Sequence, residues 1–261
     1  MAVDEAILES YLAHDEKPPP PTLRLYGWNP PALSLGKSQP SAEFLEPQVV
    51  RRRGIDLVRR PTGGLAVLHD RERTYAVVGA LRCEPFAGGV LETYRSISAA
   101  LEDAMLSLGA QARASAHEGT LHPQGPSCFA LTSAHEITVE GRKLIGSAQL
   151  RRGRAFLQHG SIPLDTNREA LAALLGDPVD GESHTDLTSA LGRAVGPLDL
   201  DCAIVDAFAR KFGVELQPDE LTAGEQLRAT QIRCWKYLSV DWTLNGRVGR
   251  REQRWEPDGR R

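Results

Sequence analysis

The chain has 261 residues, and 31 Lys+Arg against 34 Asp+Glu give a formal charge of −3, a balance that excludes a strongly basic nucleic-acid binder. At 41% hydrophobic and 25% charged residues it sits near the globular average, which excludes a disordered chain and leaves enough apolar side chains for a large core. No apolar run reaches the roughly 18 residues that span a bilayer, and the opening Met1-Ala2-Val3-Asp4-Glu5 is acidic where a signal peptide is basic, so the expectation is a cytoplasmic protein with no membrane partner.

Val3, Ile7 and Tyr11 recur every four residues and predict a helix over residues 2–13, with Asp4 and Glu5 suited to its positive end. The proline run that begins at Pro18 stops it. Strand-like segments follow at 22–26 and 33–35, then a helix near 42–52 and a strand at 55–59. Pro61-Thr62-Gly63-Gly64 is turn chemistry, because proline fixes φ and glycine permits positive φ. It leads into residues 65–68 and 74–78, which read as neighbouring strands. Tyr94, Ile97, Leu101, Met105 and Leu108 line one helical face that Gly109 terminates.

Residues 136–140 and 143–150 read as a hairpin around Gly141, and residues 155–164 as a third strand of the same meander. Ile204, Ala207, Phe208 and Phe212 make a helical face closing at Gly213, and Thr222 with Glu225 forms a capping box that opens a helix through about Tyr237. The order of elements predicts an α+β fold: a single large domain, residues 1–245, with a central mixed sheet flanked by helices. Residues 246–261 are basic, polar and aperiodic, and are expected to be a flexible tail.

Cys83, Cys128, Cys202 and Cys234 lie far apart with no CxxC, and the histidines show no metal spacing, so neither a zinc site nor a disulfide framework is expected. Four features draw attention: the Thr62-Gly63-Gly64 turn, His69-Asp70, Cys128 in a Gly/Pro-rich loop, and Lys143 followed by Gly146-Ser147. Singly each has an ordinary reading: a turn, a loop pair in which the carboxylate orients the imidazole, an inert small hydrophobe and a solvated edge charge.

Together they form a pattern. The string Arg59-Arg60-Pro61-Thr62-Gly63-Gly64-Leu65-Ala66-Val67-Leu68-His69-Asp70 resembles the signature loop of the biotin/lipoate A/B protein ligase superfamily. Glu140-Gly141-Arg142-Lys143-Leu144-Ile145-Gly146-Ser147-Ala148-Gln149 is similar to its lysine motif, and Gln158-His159-Gly160-Ser161-Ile162 to the strand that follows. The first helix, the Arg24–Pro30 segment (numbers 24–30) and Lys236-Tyr237 with Trp242 extend the resemblance over nearly the whole chain, although the family's usual strand ahead of that helix has no counterpart here.

The resemblance implies a transferase that moves octanoyl from acyl carrier protein to the lysine of a lipoyl-domain protein such as the glycine cleavage H protein. In the octanoyltransferases a nucleophilic cysteine stands fifteen positions before the motif lysine, the spacing from Cys128 to Lys143. Those two are the implied catalytic pair, the Lys143 ammonium lowering the thiol pKa and holding the oxyanion together with the backbone near Gly146 and Ser147. Substrate-binding residues are then Arg60, Thr62, Gly63, Gly64, Leu65, Ala66, Val67, His69, Gly146, Ser147, His159 and Gly160. His159 is a candidate base for the acceptor amine or, equally, a packing residue beside the acyl pocket.

A carrier-bound octanoyl group is already a thioester, so passage to a cysteine is nearly isoenergetic and no cofactor is expected. The alternative is an ATP-dependent lipoate-protein ligase working with ATP and Mg through a lipoyl-adenylate, with Cys128 incidental. A third reading keeps the fold as a lipoyl-domain binding protein. A monomer with no metal and no nucleic-acid partner is the expected form.

Overall fold

The computed structural model describes residues 1–13, 18–41, 45–115, 136–175 and 183–248. The four-residue apolar repeat forms α1 (Ala2–Ala13), followed by β1 (Thr22–Tyr26), β2 (Ala32–Leu35), α2 (Pro47–Arg52), β3 (Asp56–Arg59), β4 (Val67–His69), β5 (Glu72–Ala80) and α3 (Val90–Leu108). Then come β6 (Ala112–Ala114), β7 (Ile137–Val139), β8 (Arg142–Arg152), β9 (Ala155–Pro163), α4 (Arg168–Leu175), α5 (Leu187–Leu191) and α6 (Pro197–Phe212). The chain continues in α7 (Ala223–Ile232), a π-helical segment (Arg233–Tyr237) and α8 (Val240–Asn245).

Gly109 ends α3 in the left-handed conformation, and Thr222 accepts from the Glu225 N–H at the start of α7. The second helix starts at Pro47, later than the sequence suggests, because proline fits a first helical turn that needs no N–H donor. Residues 42–44 lie outside the described residues.

The fold is α+β, with its strands divided between two sheets. The larger has the order β1-β5-β9-β8-β7-β6, and every pairing in it is antiparallel. The parallel pairing expected of a mixed central sheet occurs instead in the smaller one, β3-β2-β4, where β2 runs parallel to β3 and antiparallel to β4. Consequently β4 and β5 are not neighbours. Arg71, at φ 50, turns the chain between them, so that β4 ends in the small sheet and β5 begins in the large one.

One face of the large sheet packs α3 and α6, with Ile97, Leu101 and Met105 meeting Ile204, Phe208, Tyr75 and Phe156. The other face packs Ile7, Leu8 and Tyr11 of α1 on Ala76, Val78 and Leu157. A smaller core joins Leu33, Leu35, Val50 and Ala66 to Leu171 and Leu174 of α4.

The acids of α1 serve a purpose beyond complementing its dipole. Asp4 accepts from Arg24 at 2.8 Å and Tyr26 at 2.9 Å, Glu5 from Lys236 and Tyr237 at 2.7 Å, and Glu9 from Arg228 at 2.6 Å. All three carboxylates are buried; Asp4 ties β1 to the first helix, while Glu5 and Glu9 fasten the C-terminal helices across it.

Candidate active site

Where the two sheets meet, a cavity partly open to solvent is lined by Met1, Ser34, Arg60, Val67, His69, Thr74, Gly146, Ser147, Ala148, His159, Gly160 and Ser161. Each strand contributes for a definite reason. In β8 and β9, Ala148 pairs with His159, Ser147 with Gly160 and Gly146 with Ser161, so the small residues stand together. A Cβ on Gly160 would lie 2.5 Å from the Gly146 carbonyl oxygen and 2.6 Å from the Tyr75 ring, which excludes any larger residue at that position. On the opposite side, Val67 faces the cavity while Ala66 belongs to the small core, the alternation a strand imposes.

The lining is rich in hydroxyl and imidazole groups, yet these are turned toward one another. Ser34 Oγ lies 2.8 Å from His69 Nε2, and Thr62 Oγ1 lies 2.6 Å from His159 Nε2. Thr74 and Ser161 donate to the Glu72 carboxylate at 2.7 and 2.6 Å, and Tyr75 meets Ser147 Oγ at 2.7 Å. With most of these polar atoms paired within the wall, the slot presents largely carbon to its contents.

The Thr62-Gly63-Gly64 turn is built from both sides. A Cβ on Gly36 would stand 1.7 Å from the Gly64 carbonyl oxygen, so that approach requires glycine. The Lys37 N–H donates to the Thr62 carbonyl at 2.8 Å. Arg60 donates to the Gly63 carbonyl at 2.8 and 3.1 Å and to the Leu65 carbonyl at 2.6 Å, and reaches Ser34 Oγ at 3.2 Å. Its guanidinium therefore organises the turn as well as lining the cavity. Gly63 and Gly64 are exposed, and Gly63, Gly64, Leu65 and Ala66 are not among the cavity-lining residues.

Lys143 is buried, with Nζ 2.6 Å from Glu136 Oε1, and its backbone exchanges hydrogen bonds with Ser183 and Thr185. It is not a lining residue of the cavity; the lining from β8 begins three residues further on, at Gly146. Cys128 lies outside the described residues. Among the described residues, no group of three or more His, Cys, Asp or Glu side chains is placed to hold a metal ion, and no helix is long and apolar enough to cross a membrane.

Burial pushes the His159 imidazole down to about 3; Asp4 acts against this, and Arg60 adds to it. Its Nδ1 is buried with no hydrogen-bond partner among the described residues. At neutral pH the ring is thus an uncharged hydrogen-bonding partner of the turn. The unfolded chain takes up this proton near 6.5 and the folded one only near 3. Between those values the unfolded state binds more protons, so the stabilisation is complete above 6.5 and is lost as pH falls, with a slope approaching about 1.4 kcal/mol per unit. Urea unfolding of His159→Gln across this window should show a flatter acid limb than wild type. Parallel limbs would mean that His159 is not the group responsible.

Two contacts of His69 were not legible in the sequence. Sequence adjacency suggests Asp70 as the carboxylate that orients His69, but Asp70 meets Asn167 at 3.3 Å, and the acid beside His69 Nδ1 is Glu72, at 3.6 Å. The left-handed Arg71 swings Glu72 back toward the ring. Trp28 stacks on His69 with ring centroids 4.5 Å apart and donates to Thr74 Oγ1 at 2.9 Å. No local spacing signals either contact.

The family described as the lipoyl protein ligase A/B catalytic domain matches residues 1–209. The chain is 42% identical over 257 residues to octanoyltransferase LipM of Kyrpidia tusciae, spanning 93% of this chain and 92% of that one. It is 41% identical over 254 residues to octanoyltransferase LipM of Moorella thermoacetica, with the same coverage of 93% and 92%. Among solved structures it is similar to lipoate-protein ligase A bound with ATP, at a TM-score of 0.80 and 24% identity over 94% of this chain and 93% of that chain. It is also similar to protein Ta0514 of T. acidophilum with bound lipoic acid, at 0.78 and 24% over 93% and 92%. At that identity the structural likeness establishes the shared fold.

Proposed function

We propose, since the chain belongs to the lipoyl protein ligase A/B catalytic-domain family, that it is an octanoyltransferase of lipoate biosynthesis, moving octanoyl from acyl carrier protein to the lysine of a lipoyl-domain protein such as the glycine cleavage H protein. The observation that carries this reading is identity of 41–42% with proteins named octanoyltransferases across more than nine-tenths of each chain. The apolar slot between the sheets supports it, because burying eight carbons at about 0.8 kcal/mol per methylene provides up to about 6 kcal/mol of binding.

In the first step the Cys128 thiolate attacks the carrier thioester; a C–S bond forms, the carrier sulfur leaves, and the octanoyl group becomes a Cys128 thioester. In the second, the neutral amine of the acceptor lysine attacks that carbonyl, the amide forms and the Cys128 sulfur is released. Neither step consumes ATP. Lys143 is assigned to the charge that develops on sulfur and oxygen.

Intact-protein mass spectrometry after mixing with octanoyl-acyl carrier protein, without ATP, tests the reading. A hydroxylamine-labile octanoyl adduct that discharges onto a lipoyl-domain protein is the expected result. Modification that appears only with ATP and free acid would replace it with a ligase.

The slot itself is tested by Ala148→Leu. The larger side chain occupies space that the distal carbons would fill, and loss of two buried methylenes costs about 1.6 kcal/mol, or roughly tenfold. Preference measured with acyl thioesters should shift by at least that factor from octanoyl toward hexanoyl. An unchanged ratio would place the acyl chain elsewhere.

A further inference from the structure

Overall, the transfer converts a thioester and an ammonium into an amide, a thiol and one free proton. The lysine ammonium loses a proton before attack, and its nitrogen loses another as the amide forms. One of the two ends on the departing sulfur and the other must reach solvent. At neutral pH only about one lysine in a few thousand is already neutral, so the site has to accept a proton. Of the two imidazoles in the cavity wall, His159 carries its Nε2 on Thr62 and is held at about 3, which makes it a weak acceptor.

His69 is placed differently. The Arg60 guanidinium donates to Ser34 Oγ at 3.2 Å, which leaves the Ser34 hydroxyl proton to point at His69 Nε2, 2.8 Å away. Nδ1 then carries the ring proton and faces Thr74 Oγ1 at 3.5 Å and Glu72 Oε1 at 3.6 Å. Glu72 is fixed by the hydroxyls of Thr74 and Ser161, and Trp28 fixes the plane of the imidazole. Ser34 and His69 line the acyl cavity, whereas Glu72 lines a second pocket formed with Asp70, Thr166, Asn167 and His184. The Ser34-His69-Glu72 array therefore runs through the wall from one cavity to the next.

We infer that Ser34, His69 and Glu72 form a proton relay that deprotonates the acceptor lysine. This rests on the octanoyl transfer proposed above and assigns residues to its second step. Ser34 Oγ takes a proton from the acceptor nitrogen as its own passes to His69 Nε2, and the imidazolium so formed keeps its Nδ1 proton facing Glu72, on the side away from the acyl chain. Arg60 holds the negative charge that builds transiently on Ser34 Oγ. Ser34 touches the substrate amine, His69 carries the proton, and Glu72 is a positioning residue that sets the tautomer.

The test compares two acceptors on preformed octanoyl-enzyme: a lipoyl-domain protein, whose lysine must be deprotonated, and hydroxylamine, which is neutral at neutral pH. In Ser34→Ala, His69→Gln and Glu72→Gln, discharge by the lipoyl-domain protein should slow about 100-fold or more relative to discharge by hydroxylamine. Thermal unfolding establishes that each variant compared is folded, and the near-isosteric Glu72→Gln and the small Ser34→Ala keep the test available where His69→Gln unfolds. An unchanged ratio, whether both acceptors slow together or neither does, overturns the relay while leaving the transferase standing. Wild type that forms no octanoyl-enzyme overturns both.

Discussion

Cys128→Ala is expected to abolish the hydroxylamine-labile octanoyl adduct and to lower ATP-independent transfer by at least about 1,000-fold, since a covalent route that loses its nucleophile keeps only what binding and orientation supply. The other cysteines give the contrast. Cys202 on α6 and Cys234 in the π-helical segment are exposed, Cys83 is partly buried against the α1 core, and none of the three lines the cavity. Cys202→Ser and Cys234→Ser should leave the rate within a few-fold. Peptide mapping of the trapped adduct separates the sites directly, because an exposed thiol can also pick up acyl groups non-enzymatically. An adduct that survives in Cys128→Ala, or equal losses in all three variants, would remove the assignment.

The parts of this protein that could be read in advance are those where one local rule decides the outcome. The α3 face from Tyr94 to Leu108, its Gly109 stop and the Thr222/Glu225 capping box each follow from spacing within a few residues, and the structure places them there. The hairpin around Gly141 is of the same kind, with Glu140 and Gly141 both at positive φ between β7 and β8. What stayed hidden depends on chain segments far apart in sequence. Among the described residues, the division of the strands into two sheets turns on Arg71, whose left-handed backbone has no compositional signal. The partner of His69 is Glu72, brought round by that same residue, although Asp70 stands next to it. The acids of α1 look like dipole partners until Arg24, Arg228 and Lys236 arrive beside them from β1, α7 and the π-helical segment. A cavity wall whose hydroxyls face each other is illegible for the same reason, since Ser34, Thr74 and Ser161 come from three different strands.

Arg59→Ala should be the most destabilising single change among the described residues that line or frame the turn. Arg59 is almost fully buried, and its guanidinium donates to the carbonyls of Gly36, Lys37 and Gln39 after β2, at 2.5, 3.2 and 2.8 Å. It also reaches Trp242, Thr243 and Leu244 of α8 at 3.1, 3.0 and 2.9 Å. The Gly36, Trp242 and Leu244 carbonyls also accept from the Gln39 N–H, the Gly246 N–H and the Ser41 hydroxyl, so one cation adds to those contacts and serves a helix terminus and a loop at once. Burial holds its pKa below the usual guanidinium value, but the group stays protonated at any ordinary pH.

Removing it takes hydrogen bonds from six buried or part-buried acceptors, three of which keep a second donor; at about 1–3 kcal/mol for each acceptor that loses its donor where water cannot replace it, a loss above about 3 kcal/mol is expected in urea unfolding. Arg59→Lys should recover little, because one ammonium has three donors and no planar fork to reach six carbonyls. Arg53→Ala, on an exposed residue at the end of α2, should stay within about 0.5 kcal/mol. The consequence extends to function through the backbone: Gly36 and Lys37, held by Arg59, are the residues that press against Gly64 and donate to Thr62. Octanoyl transfer measured well below the unfolding midpoint should therefore fall in Arg59→Ala as well, through a loosened Thr62–His159 contact at the slot. Stability within about 1 kcal/mol of wild type would mean that solvent serves those carbonyls, and that the turn is held by Arg60 and the glycine contact alone.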